Sequence, residues 1–229
     1  MVPVVEARRE VASPDDFPSR SLDLDSGFGG LEGEALELVE RRYGDRGLAV
    51  TRERYNSRNQ DGDIVCTARD GDEIVGTLSV RFDGIGGLHA DQLFKPELDA
   101  WRADGVSLCE FGGLAVGQHS HDPKRVLIQI FHLGYLHAHR RAARERLVVE
   151  VNPRHVSFYR RCLGLEPLTA ARYNPRVQAP AVLMNIALAE VREQIALWGG
   201  RPECAASTRS LYPLAWGAAI EATMLARLP

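Results

Sequence analysis

The sequence predicts an α/β domain, a mixed twisted sheet with helices on both faces and a helical C-terminal extension. Three observations predict it. Apolar, β-rich runs at 64–68, 73–82, 107–116 and 147–151 alternate with stretches of helical periodicity. A long stretch at 123–141 with a broad apolar stripe separates two of those runs, which is the arrangement of a strand-helix-strand crossover. The 229 residues, 45% hydrophobic and 26% charged, suit an ordinary globular chain of one domain with additions or two small ones.

Residues 1–30 are rich in Asp, Ser, Pro and Gly and carry few large apolar groups, so they read as a flexible N-terminal arm. The folded part begins at Leu31, where Ala35, Leu38, Val39 and Arg42 continue a helical rhythm that ends at Gly44. The runs 64–68 and 73–82 flank Asp70 and Gly71, a strong hairpin turn. A Gly-rich loop at 84–87 leads to an irregular helical stretch over 91–103, broken or entered at Pro96, and then to the strand 107–116. In the crossover helix 123–141, Leu127, Ile130, Phe131, Gly134, Tyr135 and Ala138 form the apolar stripe.

The strand ending at Val151 runs directly into a short helix. Asn152 is a good N-cap and Pro153 a good first helical residue, because the amide oxygen accepts an orphan N–H and proline lacks one. Val156, Tyr159 and Leu163 share a face, Arg160 and Arg161 suit the negative end, and Gly164 suits a left-handed stop. Two more strands are expected at 168–173 and 181–188, a helix from 189 to Trp198, a turn at Gly199 and Gly200, and a last helix over 213–227. The organisation is therefore an arm (1–30), a catalytic-sized domain (31–188) and a helical extension (189–229).

Composition excludes several function classes. A net charge of −3 argues against a dedicated nucleic-acid binder. Cys66, Cys109, Cys162 and Cys204 are scattered without paired or metal-ligand spacing and read as reduced thiols of a cytoplasmic protein. The first residues lack the continuous apolar stretch of a secretory signal, and the most apolar run, 180–189, is far shorter than the ~20 residues a membrane-spanning helix needs. His119 with His121, and His137 with His139, are spaced by two, which does not share a helix face, and no carboxylate or thiol completes a metal pattern. Neither a nucleophile elbow nor a Walker loop is present.

The segment EVNPRHVSFYRRCLGL at 150–165 resembles the second half of the GNAT acyltransferase signature, in which a strand ends in Asn and a short helix carries a Tyr before a Leu-Gly stop. With its Asn-Pro-Arg-His start it is similar to the long-chain N-acyl amino acid synthases, the FeeM-like group, relatives of acyl-homoserine-lactone synthases. GDEIVGTLSVRF, LFKPELDAWRADG, SLCEFGGLAV and RYNPRVQAPAVLMNIAL, in that order, extend the resemblance over 31–188. It implies a GNAT-like sheet splayed between two central parallel strands, and acyl transfer from a thioester, carried by an acyl-carrier protein, to the amine of an amino acid or similar small amine. A coenzyme-A-dependent acetyltransferase, a homoserine-lactone-type synthase and a GNAT-shaped binding protein without turnover are the alternatives.

Acyl transfer to an amine needs a polarised carbonyl, a deprotonated amine and a thiolate that can be protonated. Glu110 is a carboxylate in an apolar strand, so burial would raise its pKa toward that of a base, and a salt bridge to an arginine is the other reading. The glycine pair at 112 and 113 marks a bulge or a close approach of another backbone. The resemblance implies that Gly113, Leu114, Ala115 and Val116 bind the pantetheine arm and the thioester oxygen, that Asn152 bonds the pantetheine amides, and that Tyr159 protonates the leaving thiolate. For Tyr159 an amphipathic core tyrosine is the other reading. Lys124 and Arg125 in a helix's first turn oppose its dipole and so suggest a bound phosphate. Val116 to His121 stand where the usual GNAT pyrophosphate loop has a Gln/Arg-x-x-Gly-x-Gly/Ala run, and that departure favours acyl-carrier phosphopantetheine over acyl-coenzyme A as cosubstrate, with no metal. Arg140, Arg141, Arg144 and Arg146 form a basic cluster that would steer an acidic carrier, or that simply stabilises a helix end.

Overall fold

In the computed structural model, residues 22–48, 63–118 and 120–228 are described. Strands β2 (Ile64–Asp70) and β3 (Glu73–Phe82) form the expected hairpin, closed at Asp70↔Glu73, because aliphatic and β-branched residues fit the pleat and Asp-Gly fits the turn. A strand the sequence did not announce, β1 (Asp23–Phe28), pairs antiparallel with β2. It occupies the end of the stretch expected as an arm. An edge strand whose alternate residues are Asp23, Asp25 and Gly27 reads as loop by composition, although Leu24 and Ser26 turn inward. Residues 1–21 of that arm lie outside the described residues.

The remaining strands are β4 (Leu108–Val116), β5 (Arg146–Val151), β6 (Glu166–Pro167), β7 (Arg172–Asn174) and β8 (Ala179–Ala187). Sheet order is β1-β2-β3-β4-β5-β8-β6, with β7 on β8. Among the described residues only β4 and β5 pair in parallel, joined by the crossover through α3 (Pro123–Tyr135). The strand expected at 168–173 is instead the two short pieces β6 and β7, consistent with Pro167, which has no N–H to continue a ladder.

Alternate strand residues decide the two faces. Ile64, Cys66 and Ala68 join α3 in the main core, while Val65, between them, packs against the cluster of α1 (Gly33–Gly44). The second helix on the α1 face, α2 (Asp91–Ala103), is kinked at Phe94 ahead of Pro96 and covers Leu108, Val148 and Leu183. The crossover helix stops being α-helical at Tyr135. Leu136–Arg141 wind as a π-helix, a change of turn that hydrophobic periodicity does not reveal.

After β5, Asn152 caps a 3₁₀ turn (Pro153–His155), its Oδ1 accepting from the Arg154 N–H at 3.2 Å. Helix α4 (Val156–Leu163) follows and ends at Gly164 with φ 76°, as expected. The extension holds α5 (Leu188–Trp198), a short α6 (Ala205–Thr208) and α7 (Ala218–Arg227). The last helix starts later than 213 because Tyr212–Leu214 form a 3₁₀ turn and Gly217 takes the N-cap. Leu211, Tyr212, Ala215 and Trp216 are buried in the main core, so the extension covers the outer side of α3. All four cysteines are free, and among the described residues no helix is long and apolar enough to cross a membrane.

Candidate active site

Strands β4 and β5 pair only from Leu108↔Arg146 to Glu110↔Val148. Beyond that point they diverge, although β4 continues to Val116 and β5 to Val151. A cavity of about 170 Å³ opens in the gap. Its apolar wall is Leu78, Phe111, Phe131, Val151 and Leu165, and its polar wall includes His89, Glu110, Glu150, Asn174 and Arg176.

Local backbone chemistry shapes β4 at the gap. Thr77 pairs with Ala115 and Ser79 with Gly112, so Gly113 and Leu114 together oppose Leu78 in a β-bulge. Gly113 takes φ +55°, a conformation that costs any residue with a Cβ. The Thr77 hydroxyl donates to the Gly113 carbonyl at 2.8 Å. Because the peptide is trans and planar, the Leu114 N–H points the opposite way from that carbonyl, from a residue that lines the cavity.

Glu110 is 3% exposed and sits at the last paired position before the gap. Its Oε2 accepts the Ala90 N–H at 3.2 Å, at the positive end of α2. That helix start is fixed by Asp91, which accepts the Leu88 N–H at 2.7 Å and pairs with Arg102 at 2.7 Å, while Arg102 also grips Asp83 at 2.7 Å. Burial raises the Glu110 pKa above the usual carboxylate range, offset in part by the charge of Arg176, the N–H groups of Ala90 and His89, and the charge of Arg81. Arg81, directly across on β3, is bridged to Asp63 at 2.8 Å, a pair nearly sealed from solvent.

Tyr159, on α4, lines the same cavity with Asn152 and His155 at the start of that helix. Burial and the neighbouring phenol of Tyr43 push its pKa up, against the pull of Arg46. Glu110, Gly113, Leu114, Asn152 and Tyr159 are thus brought together. Ala115 packs into the α1 cluster and Val116 against the main core, so neither side chain lines the cavity. Lys124 is exposed, Arg125 half-buried, and neither lines it. Asp122 supplies an anion to that helix start itself, accepting the Arg125 N–H at 3.0 Å.

The four clustered arginines precede β5 or open it, while the cavity begins at Val149 toward the other end of that strand. They have partners within the chain. Arg140 pairs with Glu221, Arg141 donates to the Leu228 carbonyl at 3.2 Å, Arg144 lies over the Phe82 ring at 5.4 Å, and Arg146 stacks on Trp101 and donates to Asn185 at 2.6 Å. Of the histidine pairs, His137 contacts the Ser26 hydroxyl and His139 the Arg144 carbonyl, both at 2.8 Å, while His119 lies outside the described residues.

Sequence reasoning missed Tyr43, His89, Glu150, Asn174 and Arg176. Arg176 pairs with Glu150, whose other oxygen accepts from the Asn174 amide at 3.3 Å, and Asn174 Oδ1 accepts the Arg176 N–H at 2.9 Å. The only advance signal was the Asn-Pro-Arg turn between two expected strands, and a turn in a sequence does not show which wall it will face.

No curated protein matches the chain. Among solved structures it is similar to FeeM, an N-acyl amino acid synthase from uncultured soil microbes, at 24% identity and TM-score 0.65, over 77% of this chain and 96% of that one. It is also similar to Escherichia coli ElaA, at 10% identity and TM-score 0.50 over 71% and 98% of the two chains. A putative N-acetyltransferase from Lactobacillus plantarum gives 13% identity and TM-score 0.49 over 73% and 99%. The GNAT-like α/β fold expected from the sequence is the fold that the chain shares with FeeM and ElaA. A model of the family described as N-acyl amino acid synthase FeeM matches residues 34–187, which include both splayed strands, the bulge and the helix of Tyr159. The chain belongs to the FeeM family of N-acyl amino acid synthases and is an acyltransferase.

Proposed function

We propose that this acyltransferase moves a long-chain acyl group from an acyl-carrier-protein phosphopantetheine thioester to the amine of an amino acid or similar small amine. The observation that carries this reading is a buried carboxylate, Glu110, lining a cavity with one apolar and one polar wall where the two parallel strands part. The apolar wall suits an acyl chain. The polar wall suits an amine.

In this reading the substrate ammonium gives a proton to Glu110, and the free amine attacks the thioester carbonyl. A C–N bond forms and the C–S bond breaks. The Leu114 N–H faces the oxyanion that develops. Tyr159 donates a hydrogen bond to the departing sulfur. Its raised pKa keeps the phenol protonated at the end of the step: as it passes its proton to the departing thiolate, whose ordinary thiol value is about 8.5, it takes up the second proton that the amine nitrogen releases, so the amide, the free thiol and protonated Glu110 remain.

The mouth of the cavity supports a carrier donor. Arg46 lines it, the Arg154 guanidinium donates to the Arg46 carbonyl at 3.1 Å, and Gln118 is bonded to the adjacent Asp45 at 2.9 Å. An acidic carrier approaching here meets the gap directly, whereas the cluster at 140–146 lies toward the opposite end of β5 from the cavity. The loop before α3 lacks the glycine-rich phosphate cradle that a nucleotide donor would occupy.

The test offers the purified protein acyl-carrier and acyl-coenzyme A thioesters of matched chains with mixed amino acids, products being read by mass spectrometry. Long-chain N-acyl amino acids formed with the carrier donor support the reading. Acetylation or equal turnover from coenzyme A would overturn the donor assignment.

A further inference from the structure

We infer that Arg176 is the specificity-determining residue for the acceptor: its guanidinium receives the carboxylate of a free α-amino acid whose ammonium faces Glu110. This rests on the proposed transfer to an amine and names the acceptor's second recognition point.

The geometry behind it is a pairing of opposite charges in one cavity. Glu110 enters from β4 beneath α2, and Arg176 enters from the turn between β7 and β8. An α-amino acid carries its ammonium and carboxylate two bonds apart, so a cavity wall with one carboxylate and one guanidinium fits both ends of the zwitterion. A simple amine, an amide or an ester would leave the guanidinium facing an uncharged group.

Arg176 is also held for such a task. Its backbone N–H is fixed by Asn174, which is 2% exposed, and its guanidinium by Glu150, the two side chains being 21% and 12% exposed. Asn174 in turn bonds Glu150, so the three residues form a closed ring of contacts from β5 to the turn. Such bracing is what a binding group needs if it is to lose little freedom on meeting its ligand. A guanidinium has five N–H donors in a planar fork, so the contact from Nη2 to Glu150 and a contact to a second carboxylate are compatible. Both groups line one cavity, and the Arg176 charge works against the burial that raises the Glu110 pKa.

The experiment uses the full chain with one long-chain acyl-carrier thioester and, as acceptors, standard α-amino acids and their α-amides. The wild-type protein is expected to favour the acid. Arg176→Gln is expected to lower the ratio of kcat/KM for acid over amide by about 10- to 100-fold, mostly through KM, and Arg176→Lys to recover part of it. Equal use of acid and amide by the wild type overturns the inference while leaving transfer intact, and so does an Arg176→Gln protein that loses both activities in proportion. Glu150→Gln is the second variant, for the case that Arg176→Gln does not fold: it removes the internal partner but keeps the guanidinium, so the ratio is expected to hold or rise, and a fall like that of Arg176→Gln overturns the assignment. If neither acceptor is acylated by the wild type, the transfer reading itself fails. Calorimetric titration of the free amino acid against its amide then decides Arg176 separately, because preferential binding of the acid that Arg176→Gln abolishes supports it and equal binding overturns it.

Discussion

Glu110 is destabilising where it stands, and that makes its role separable from folding. A buried carboxylate whose native pKa is raised binds its proton more tightly in the folded than in the unfolded chain. Stability therefore falls as pH climbs from about 4.3, the unfolded value, through the raised native value. Glu110→Gln removes that slope and keeps an oxygen for the Ala90 N–H, so urea melts across pH are expected to show equal or greater stability than wild type at neutral pH. The same variant is expected to lose about 10²- to 10⁴-fold in kcat/KM and the acidic limb of its pH–rate profile, whose midpoint lies above the ordinary carboxylate range. A stable variant with unchanged turnover would remove the base. Glu110 was legible because an acid in an apolar strand is anomalous in the sequence itself, and Asn152 and Tyr159 because the segment around them, with its local cap and stop, carries the family resemblance. Arg176 was not, since an arginine in a turn is ordinary until the fold shows what it faces.

At the scale of elements, the bulge at Gly113 and Leu114 lies on β4 beyond its last pairing with β5, and one hydroxyl bonds its carbonyl. Thr77→Val keeps the shape of the side chain and leaves the Gly113 carbonyl without that partner. The expected cost is about 1–3 kcal/mol, the range for an unsatisfied buried acceptor, together with a fall in kcat larger than any rise in KM, because the neighbouring Leu114 N–H loses its aim. Full kcat with the stability loss alone would make the bulge merely structural. The glycine pair announced a bulge in advance, since glycine within a strand offers nothing to packing. Strands β2 to β5 were equally plain, each being buried on at least one face. The β1 edge strand was hidden by its polar alternate residues, and the π-turn at Leu136–Arg141 by the fact that an added residue per turn leaves composition untouched.

For the whole molecule, the extension beyond the family match is a structural part of the catalytic domain. The last carbonyls of α4 have no intrahelical partners, and the extension supplies them: the Leu211 N–H donates to the Cys162 carbonyl at 3.0 Å and the Tyr212 hydroxyl to that of Leu163 at 2.9 Å. That helix carries Tyr159, so the tail braces one wall of the cavity from outside. A second anchor lies on α3, where the Trp216 ring packs 4.8 Å from that of His132 and the Trp216 backbone N–H donates to His132 Nδ1 at 3.3 Å. Nδ1 is therefore the acceptor nitrogen, leaving Nε2 with the proton, 3.5 Å from Glu221 of α7. Tyr212→Phe keeps the packing and leaves the Leu163 carbonyl unpartnered, with an expected loss of about 1–3 kcal/mol in urea unfolding. Trp216→Ala removes a large buried side chain and is expected to lose about 3–5 kcal/mol. The two sites brace different helices, so the diagnostic measurement is kinetic: Tyr212→Phe should lower kcat through the loosened helix of Tyr159, whereas Trp216→Ala, assayed well below its melting temperature, should lower stability with a smaller change in turnover. Equal kinetic effects from both would mean that the tail acts on the domain as one unit, without a particular link to α4.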